Sequence, residues 1–109
     1  METKMISIAR DFSPHPAGRY RSDGPFSGEK FRDDFLYPAL LGSAHVEVDM
    51  DGALGYGSSF LDEAFAGLVR KHGLSAKELR IKLNLKCAVR LFADRAWQYI
   101  DEEDARRKH

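Results

Sequence analysis

The sequence has one cysteine, no net charge and no long apolar run, and each shortage excludes a class of protein. Cys87 stands alone among 109 residues, so no internal disulfide can form and a reducing compartment fits best. The 17 Lys and Arg residues equal the 17 Asp and Glu residues, which argues against binding to nucleic acid or to an anionic membrane. No run nears the roughly 18 apolar residues of a membrane helix, and no signal-peptide pattern begins the sequence. We therefore expect a cytoplasmic protein with no membrane association.

The composition is that of one ordinary globular domain. Hydrophobic residues make up 43% of the sequence and charged residues 31%, which is typical of soluble domains. A chain of this length builds one core and leaves little space for a second lobe. We predict a single domain over residues 1–109, with frayed ends at residues 1–4 and 103–109.

Alternating apolar residues predict strands, and helical periodicity predicts three helices. The predicted strands cover residues 5–9, 44–51 and 79–85, with a short additional strand at 18–21. The predicted helices cover residues 27–42, 59–72 and 88–101, and Pro38 is expected to kink the first of them. The resulting order, β-β-α-β-α-β-α, predicts an α/β fold with a mixed, mostly parallel sheet of about four strands.

The two clearest strands alternate strictly, which is typical of a sheet with helices mainly on one face. The open face would carry Glu47 and Asp49 on one strand, and Arg80 and Lys82 on the other. If these strands are neighbours, the two rows pair across the sheet. Basic residues before and within the first helix are interpreted as a solvated surface, with an interaction surface as the alternative: Arg19, Arg21, Lys30 and Arg32.

No set of side chains in the sequence assembles into a catalytic or metal centre. Asp49, Asp51 and Gly52 resemble the nucleophile motif of haloacid-dehalogenase-type phosphatases, which need a much longer chain and further carboxylates. His45 and the acidic residues after it alternate along a strand at about 6.6 Å, a spacing at which four side chains converge poorly on one ion. We therefore assign no catalytic residue, metal or cofactor, and we interpret the chain as not an enzyme.

The glycine-spaced loop after the 44–51 strand is the best candidate site. It leads into a helix whose first amides and positive dipole end favour an anion, at the edge where open α/β sheets gather ligands. Ser59 is expected to cap this helix, with Asp62 three residues on. The loop is neither a P-loop nor a dinucleotide-binding loop, because it lacks the lysine of the first and the third glycine of the second.

Residues 44–69 resemble the centre of STAS domains, the fold shared by sulphate transporters and anti-sigma-factor antagonists. An apolar strand at residues 46–50 is followed by an acidic turn, a pair of serines and an amphipathic helix. A longer pattern, from about residue 6 to 102, is similar to the STAS-like domain family of unknown function found in bacteria and archaea. The residues that carry it are Gly18-Arg19, Phe26-Ser27-Gly28-Glu29-Lys30-Phe31-Arg32 and Gly55-Tyr56-Gly57-Ser58-Ser59-Phe60.

The resemblance implies a protein partner, because members of that family are often small standalone proteins or are joined to histidine-kinase-like ATPase domains. In anti-sigma-factor antagonists a serine at this helix start is phosphorylated, and Ser58 or Ser59 matches its place as a candidate phosphorylation site. Gly57 stands where those proteins carry an aspartate, and Phe60 stands where they carry a glycine, so the match departs from their pattern at two positions.

The leading hypothesis is a non-enzymatic STAS-like interaction and regulatory domain in prokaryotic signalling. It would dock an ATPase or kinase-like partner through the 55–59 loop and the second helix. The alternative is a small-ligand or nucleotide sensor that binds an anion at the same helix N-terminus. Both hypotheses use the same residues, and both leave open whether the chain forms a homo-oligomer. The candidate contact residues are Gly55, Tyr56, Gly57, Ser58, Ser59, Asp62 and Glu63.

Overall fold

Three short strands form a fully parallel sheet whose order follows the chain. The fold is given by a computed structural model that describes residues 2–107. The strands are β1 (Thr3–Ser7), β2 (His45–Asp49) and β3 (Leu83–Lys86), and β2 lies between the other two. The α/β class and the parallel sheet agree with the sequence-based prediction, whereas the predicted number of about four strands is not confirmed, because three are found in the described chain.

Within residues 2–107, four helices connect and follow the strands. Helix α1 joins Gly28–Phe31, a π-helical turn at Arg32–Leu36 and Tyr37–Gly42 into one continuous helix. Helix α2 is built in the same way from Ser58–Leu61, a π-helical turn at Asp62–Ala66 and Gly67–His72. Helix α3 covers Ala76–Lys82, and helix α4 covers Arg90–Arg107. Two short turns precede α1, a π-helical turn at Ile8–Phe12 and a 3₁₀ turn at Arg21–Asp23.

The strand register gives the sheet one buried face and one open face. Ile6 lies beside Val48, and Val48 lies beside Leu85, so these side chains share the face that the helices cover. Met5 and Glu47 lie on the opposite face, where Met5 is 56% exposed. The alternation in the sequence therefore identified the covered face correctly, since successive side chains of a strand point to opposite faces.

The predicted strand at residues 18–21 is wrong. The chain there begins a turn, with Gly18 in the left-handed region at a φ of 92°. The carboxylate of Asp23 accepts the backbone N–H groups of Arg19 and Tyr20. A side chain that bonds to its own backbone in this way competes with strand pairing, which explains the difference.

The first half of the predicted 79–85 strand is also wrong, because residues up to Lys82 belong to helix α3. Ser75 and Glu78 form a reciprocal capping box at its start. The alternating leucines continue from the helix into β3, so Leu79 is buried as a helical residue. The Ser-x-x-Glu signal was present in the sequence and outweighs the alternation here.

The expected pairing of Glu47 and Asp49 with Arg80 and Lys82 does not form. Glu47 instead accepts a hydrogen bond from Asn84 at 3.0 Å, its neighbour in the register. Arg80 pairs with Asp101, and Lys82 donates to the carbonyl of Leu40. Both basic residues lie in α3, one element earlier than predicted.

The structure also describes the chain around Pro38 and most of the two terminal segments. The interruption predicted at Pro38 is a π-helical turn just before it, where Tyr37 donates to the carbonyl of Arg32 five residues back. Residues 103–107 belong to helix α4, and Glu103 is buried and bonded to Arg70 and Arg106. At the other end residues 3 and 4 belong to β1, while residues 1, 108 and 109 lie outside the described part.

Candidate functional site

The loop from β2 to α2 is fastened to both neighbouring strand ends. The N–H of Leu54 donates to the carbonyl of Pro14 at 3.1 Å, beyond β1. The carboxylate of Asp51 accepts the N–H of Ala88 at 2.7 Å, beyond β3. These bonds hold the loop at the carboxyl edge of the sheet, where open α/β folds place their binding sites.

Tyr56 lies in the core and is not an exposed contact residue, which corrects its expected place in the docking surface. Its side chain is 7% exposed, and its hydroxyl donates to the carbonyl of Met50 at 2.6 Å. Its ring packs against Phe60 and Phe92, with centroids 5.8 and 5.3 Å away. Burial raises the pKa of Tyr56 well above its usual value. Tyr56 therefore closes the loop onto the core and holds its shape.

Helix α2 begins one residue earlier than predicted, and no side chain caps it. Gly57 is the N-cap residue and makes no side-chain hydrogen bond to the first turn, so the expected capping by Ser59 with Asp62 is wrong. Gly57, Ser58 and Ser59 are exposed, and Gly55 is half-buried. The first amides of the helix are therefore left for solvent or a ligand.

Glu63 is buried in an ion-pair network between helices, which corrects its expected role as a partner contact. Glu63 and Arg32 are each 2% exposed in their side chains, with Nη1 of Arg32 2.5 Å from Oε2 of Glu63. The same Nη1 donates to the carbonyl of Glu63 at 2.9 Å. Asp62 is half-buried and lies 2.5 Å from Arg19. Of the two acidic candidates, only Asp62 reaches the surface.

The charges around Glu63 keep it ionised. Burial alone would raise the pKa of Glu63, but the hydrogen bond and positive charge of Arg32, together with Arg70 and Arg19, hold it below its usual value. Burial alone would lower the pKa of Arg32, and the carboxylates of Asp33 and Glu63 raise it instead. The pair is therefore a structural bridge between α1 and α2, with each charge compensated.

Two glycines make space for this bridge. A Cβ at Gly67 would clash with Nη1 of Arg32 and lie 3.2 Å from its Cζ. A Cβ at Gly28 would lie 2.6 Å from the carbonyl oxygen of Phe60 and 3.0 Å from the nitrogen of Ala64. The starts of α1 and α2 therefore approach closely, and the buried arginine fits beside them. Sequence reasoning placed Arg32 on the surface and missed this contact.

Three exposed apolar residues lie in the segments that follow β2 and β3 at the carboxyl edge of the sheet. Leu54 is 83% exposed, and Val89 and Leu91 are 55% and 52% exposed. Leu54 lies in the loop after β2, and the other two lie just after β3. The sequence analysis did not identify Leu54 as a candidate. The available signal was a large apolar residue in a loop between two glycines, Gly52 and Gly55.

Residues 2–107 contain neither a cluster of side chains that could hold a metal ion nor a helix that could cross a membrane. Within that range, no cluster of three or more His, Cys, Asp or Glu side chains is arranged to hold an ion. Likewise, none of the helices described there combines the length and the apolarity that crossing a bilayer requires.

A family model described as the STAS-like domain of unknown function (DUF4325) matches residues 27–88. The match begins at the N-cap of α1 and ends just after β3, so it includes the close helix contact, the loop and the start of α2. No curated protein and no solved structure matches the chain significantly.

Proposed function

The chain belongs to the STAS-like domain family of unknown function, and we propose that it is a non-enzymatic module that docks a regulatory protein partner. The partner class is an ATPase or kinase-like protein, as the resemblance of the sequence implies. The docking edge is the exposed surface at the start of α2 and beside it. It consists of Leu54, Gly57, Ser58, Ser59, Asp62, Val89 and Leu91.

The exposure of Leu54 carries this proposal. Its side chain is 83% exposed, although its own N–H is bonded to Pro14 and the loop is anchored below it by Tyr56. A single exposed leucine on a surface is common. A fixed leucine with two further apolar residues at the same edge supplies the apolar centre and polar rim that partner surfaces have.

Ser58 and Ser59 give the docking edge a means of regulation. Both side chains are exposed, and neither caps the helix. A phosphate on either would lie at the positive end of α2, where negative charge is favoured. It would also place charge beside Leu54, which disfavours an apolar contact. Phosphorylation would therefore leave the fold intact and weaken docking.

Co-purification from the native host tests the docking edge. Leu54→Asp should lose the proteins that co-purify with the wild-type chain, because a carboxylate replaces the apolar centre. Leu41→Asp is the matched control, since Leu41 is 68% exposed and lies at the end of α1, away from this edge. Circular dichroism should show both variants folded. If Leu54→Asp keeps every wild-type partner, the proposed surface is wrong.

The uncapped start of α2 favours one alternative, a sensor that binds a nucleotide or phosphorylated metabolite at the same amides. A ligand of the folded state raises thermal stability, by about 2.7 kcal/mol at a hundredfold excess over Kd. A panel of such compounds should therefore raise the melting temperature if the alternative holds. An unchanged melting temperature across the panel, with partner loss in Leu54→Asp, supports docking.

A further inference from the structure

Strand β1 has an open edge with backbone groups directed away from the sheet. The N–H of Ser7 donates to the carboxylate of Asp11 at 2.8 Å and not to β2. Alternate residues of a parallel strand direct their backbone groups to the same side. Thr3 and Met5 therefore face outward with Ser7, while Lys4 and Ile6 bond to β2. Both outward residues are exposed.

An open groove of about 610 Å³ runs along this edge, between β1 and α1. Its apolar wall is formed by Phe35, Pro38 and Ala39. Lys4 lies at the start of the strand, and Asp11 lies past its end. The edge therefore offers a backbone ladder, an apolar wall and one charge of each sign at opposite ends.

We propose that this edge binds an extended segment of a protein partner as an added strand, parallel to β1. Main-chain hydrogen bonds supply affinity in this type of recognition, and alternate side chains supply specificity. Apolar side chains at every second position would enter the groove. An acidic residue would lie beside Lys4, and a basic residue would lie beside Asp11. Asp34, which also lines the groove, is already paired with Arg21 through two bonds.

A second copy of this chain fits the groove poorly. Its β1 would have to supply apolar side chains on the covered face of the sheet, where Lys4 and Ile6 lie. Ile6 is 4% exposed and belongs to its own core, and Lys4 is charged. A copy would therefore complete the ladder and leave the apolar wall uncovered, whereas a separate segment supplies side chains that are free.

A designed peptide, acetyl-Asp-Thr-Val-Thr-Leu-Thr-Lys-amide, tests the edge directly. Titration into the wild-type chain should shift the amide NMR signals of Thr3 and Met5 and slow their hydrogen exchange. The same peptide with N-methylated valine and leucine should bind more weakly, because it lacks two ladder donors. Signals of Leu54 and Ser59 should stay unchanged, which separates this site from the docking edge. Absence of binding by the wild-type chain overturns the proposal.

Met5→Pro removes the outward N–H at the centre of the edge. Proline is tolerated in edge strands where the N–H faces solvent, so the variant should fold and should raise the peptide Kd by about tenfold or more. Met5→Thr keeps the N–H and should bind like the wild type. Ala39→Arg, which fills the groove from α1, should also lose binding. If Met5→Pro folds and binds the peptide with wild-type affinity, the proposal is overturned. If Met5→Pro unfolds, wild-type affinity in Ala39→Arg overturns it.

Discussion

Replacing Glu63 with alanine would leave a buried arginine without its carboxylate. Nη1 of Arg32 lies 2.5 Å from Oε2 of Glu63, and both side chains are 2% exposed. Removing one partner of a buried ion pair costs about 3–5 kcal/mol, since the remaining charge is desolvated and uncompensated. Asp33 still accepts two hydrogen bonds from Arg32. We therefore expect the lower end of that range, about 3 kcal/mol.

An exposed ion pair in the same protein should contribute much less to the free energy of unfolding. Arg80 and Asp101 lie 3.0 Å apart, with both side chains 50% exposed, and such a pair contributes about 0.2–1 kcal/mol. A typical domain has only about 5–15 kcal/mol of total stability. A loss of about 3 kcal/mol would lower the melting temperature by about 12 °C or more, at roughly 4 °C per kcal/mol.

Urea unfolding followed by circular dichroism measures both losses. Glu63→Ala should lower the free energy of unfolding by about 3 kcal/mol, and the control Asp101→Ala by less than about 1 kcal/mol. The double variant Arg32→Met/Glu63→Met should lose less than Glu63→Ala, because it removes the stranded charge as well. If Glu63→Ala is no more destabilised than Asp101→Ala, the bridge between α1 and α2 does not act as described.

Two further predictions concern the same contact. Gly28→Ala should lower stability by about 1–3 kcal/mol, because its Cβ would meet the backbone of α2 at 2.6 Å; calorimetry should show no such loss for Gly42→Ala, where no atom lies within 4 Å. On acidification, stability should be constant above the unfolded-state pKa of about 4.3 for glutamate and should fall below it, because the folded-state pKa of Glu63 is lowered. The midpoint of urea unfolding, measured from about pH 7 to about pH 3, should show this fall in stability. The fall should be smaller in Glu63→Gln. An equal fall in both proteins would contradict the assignment to Glu63.

The parts of the fold that local chemistry dictates were predictable from the sequence. Ser27 caps α1 through a hydrogen bond to the N–H of Lys30, as its position before a helical pattern indicates. Gly73 ends α2 in the left-handed conformation, with a φ of 73°. The family resemblance is confirmed by the match over residues 27–88. Each of these features depends on a few neighbouring residues, which is why one sequence is enough to find them.

The buried charges were not predictable, because their partners are far apart in the chain. Arg32 and Glu63 are separated by 31 residues, and charged residues are exposed by default. Gly28 and Gly67 carried no local signal for a close helix contact, since glycine within a helix usually indicates only a less stable helix. The packing of α1 against α2 explains both the buried charges and the two glycines. The error in α3 has a different cause, because its capping box was present in the sequence and overlaps the alternating leucines.

The position of the proposed docking edge depends on that same packing. Ser58 and Ser59 lie at the start of α2. Glu63, which pairs with Arg32, lies about one turn farther along the same helix. A loss of the bridge would therefore displace the start of α2 without changing any surface residue. Loss of partner binding in Glu63→Ala would report on the scaffold alone, and for this reason the docking test uses Leu54→Asp. If docking is lost in Leu54→Asp while its melting temperature stays at the wild-type value, the effect belongs to the surface.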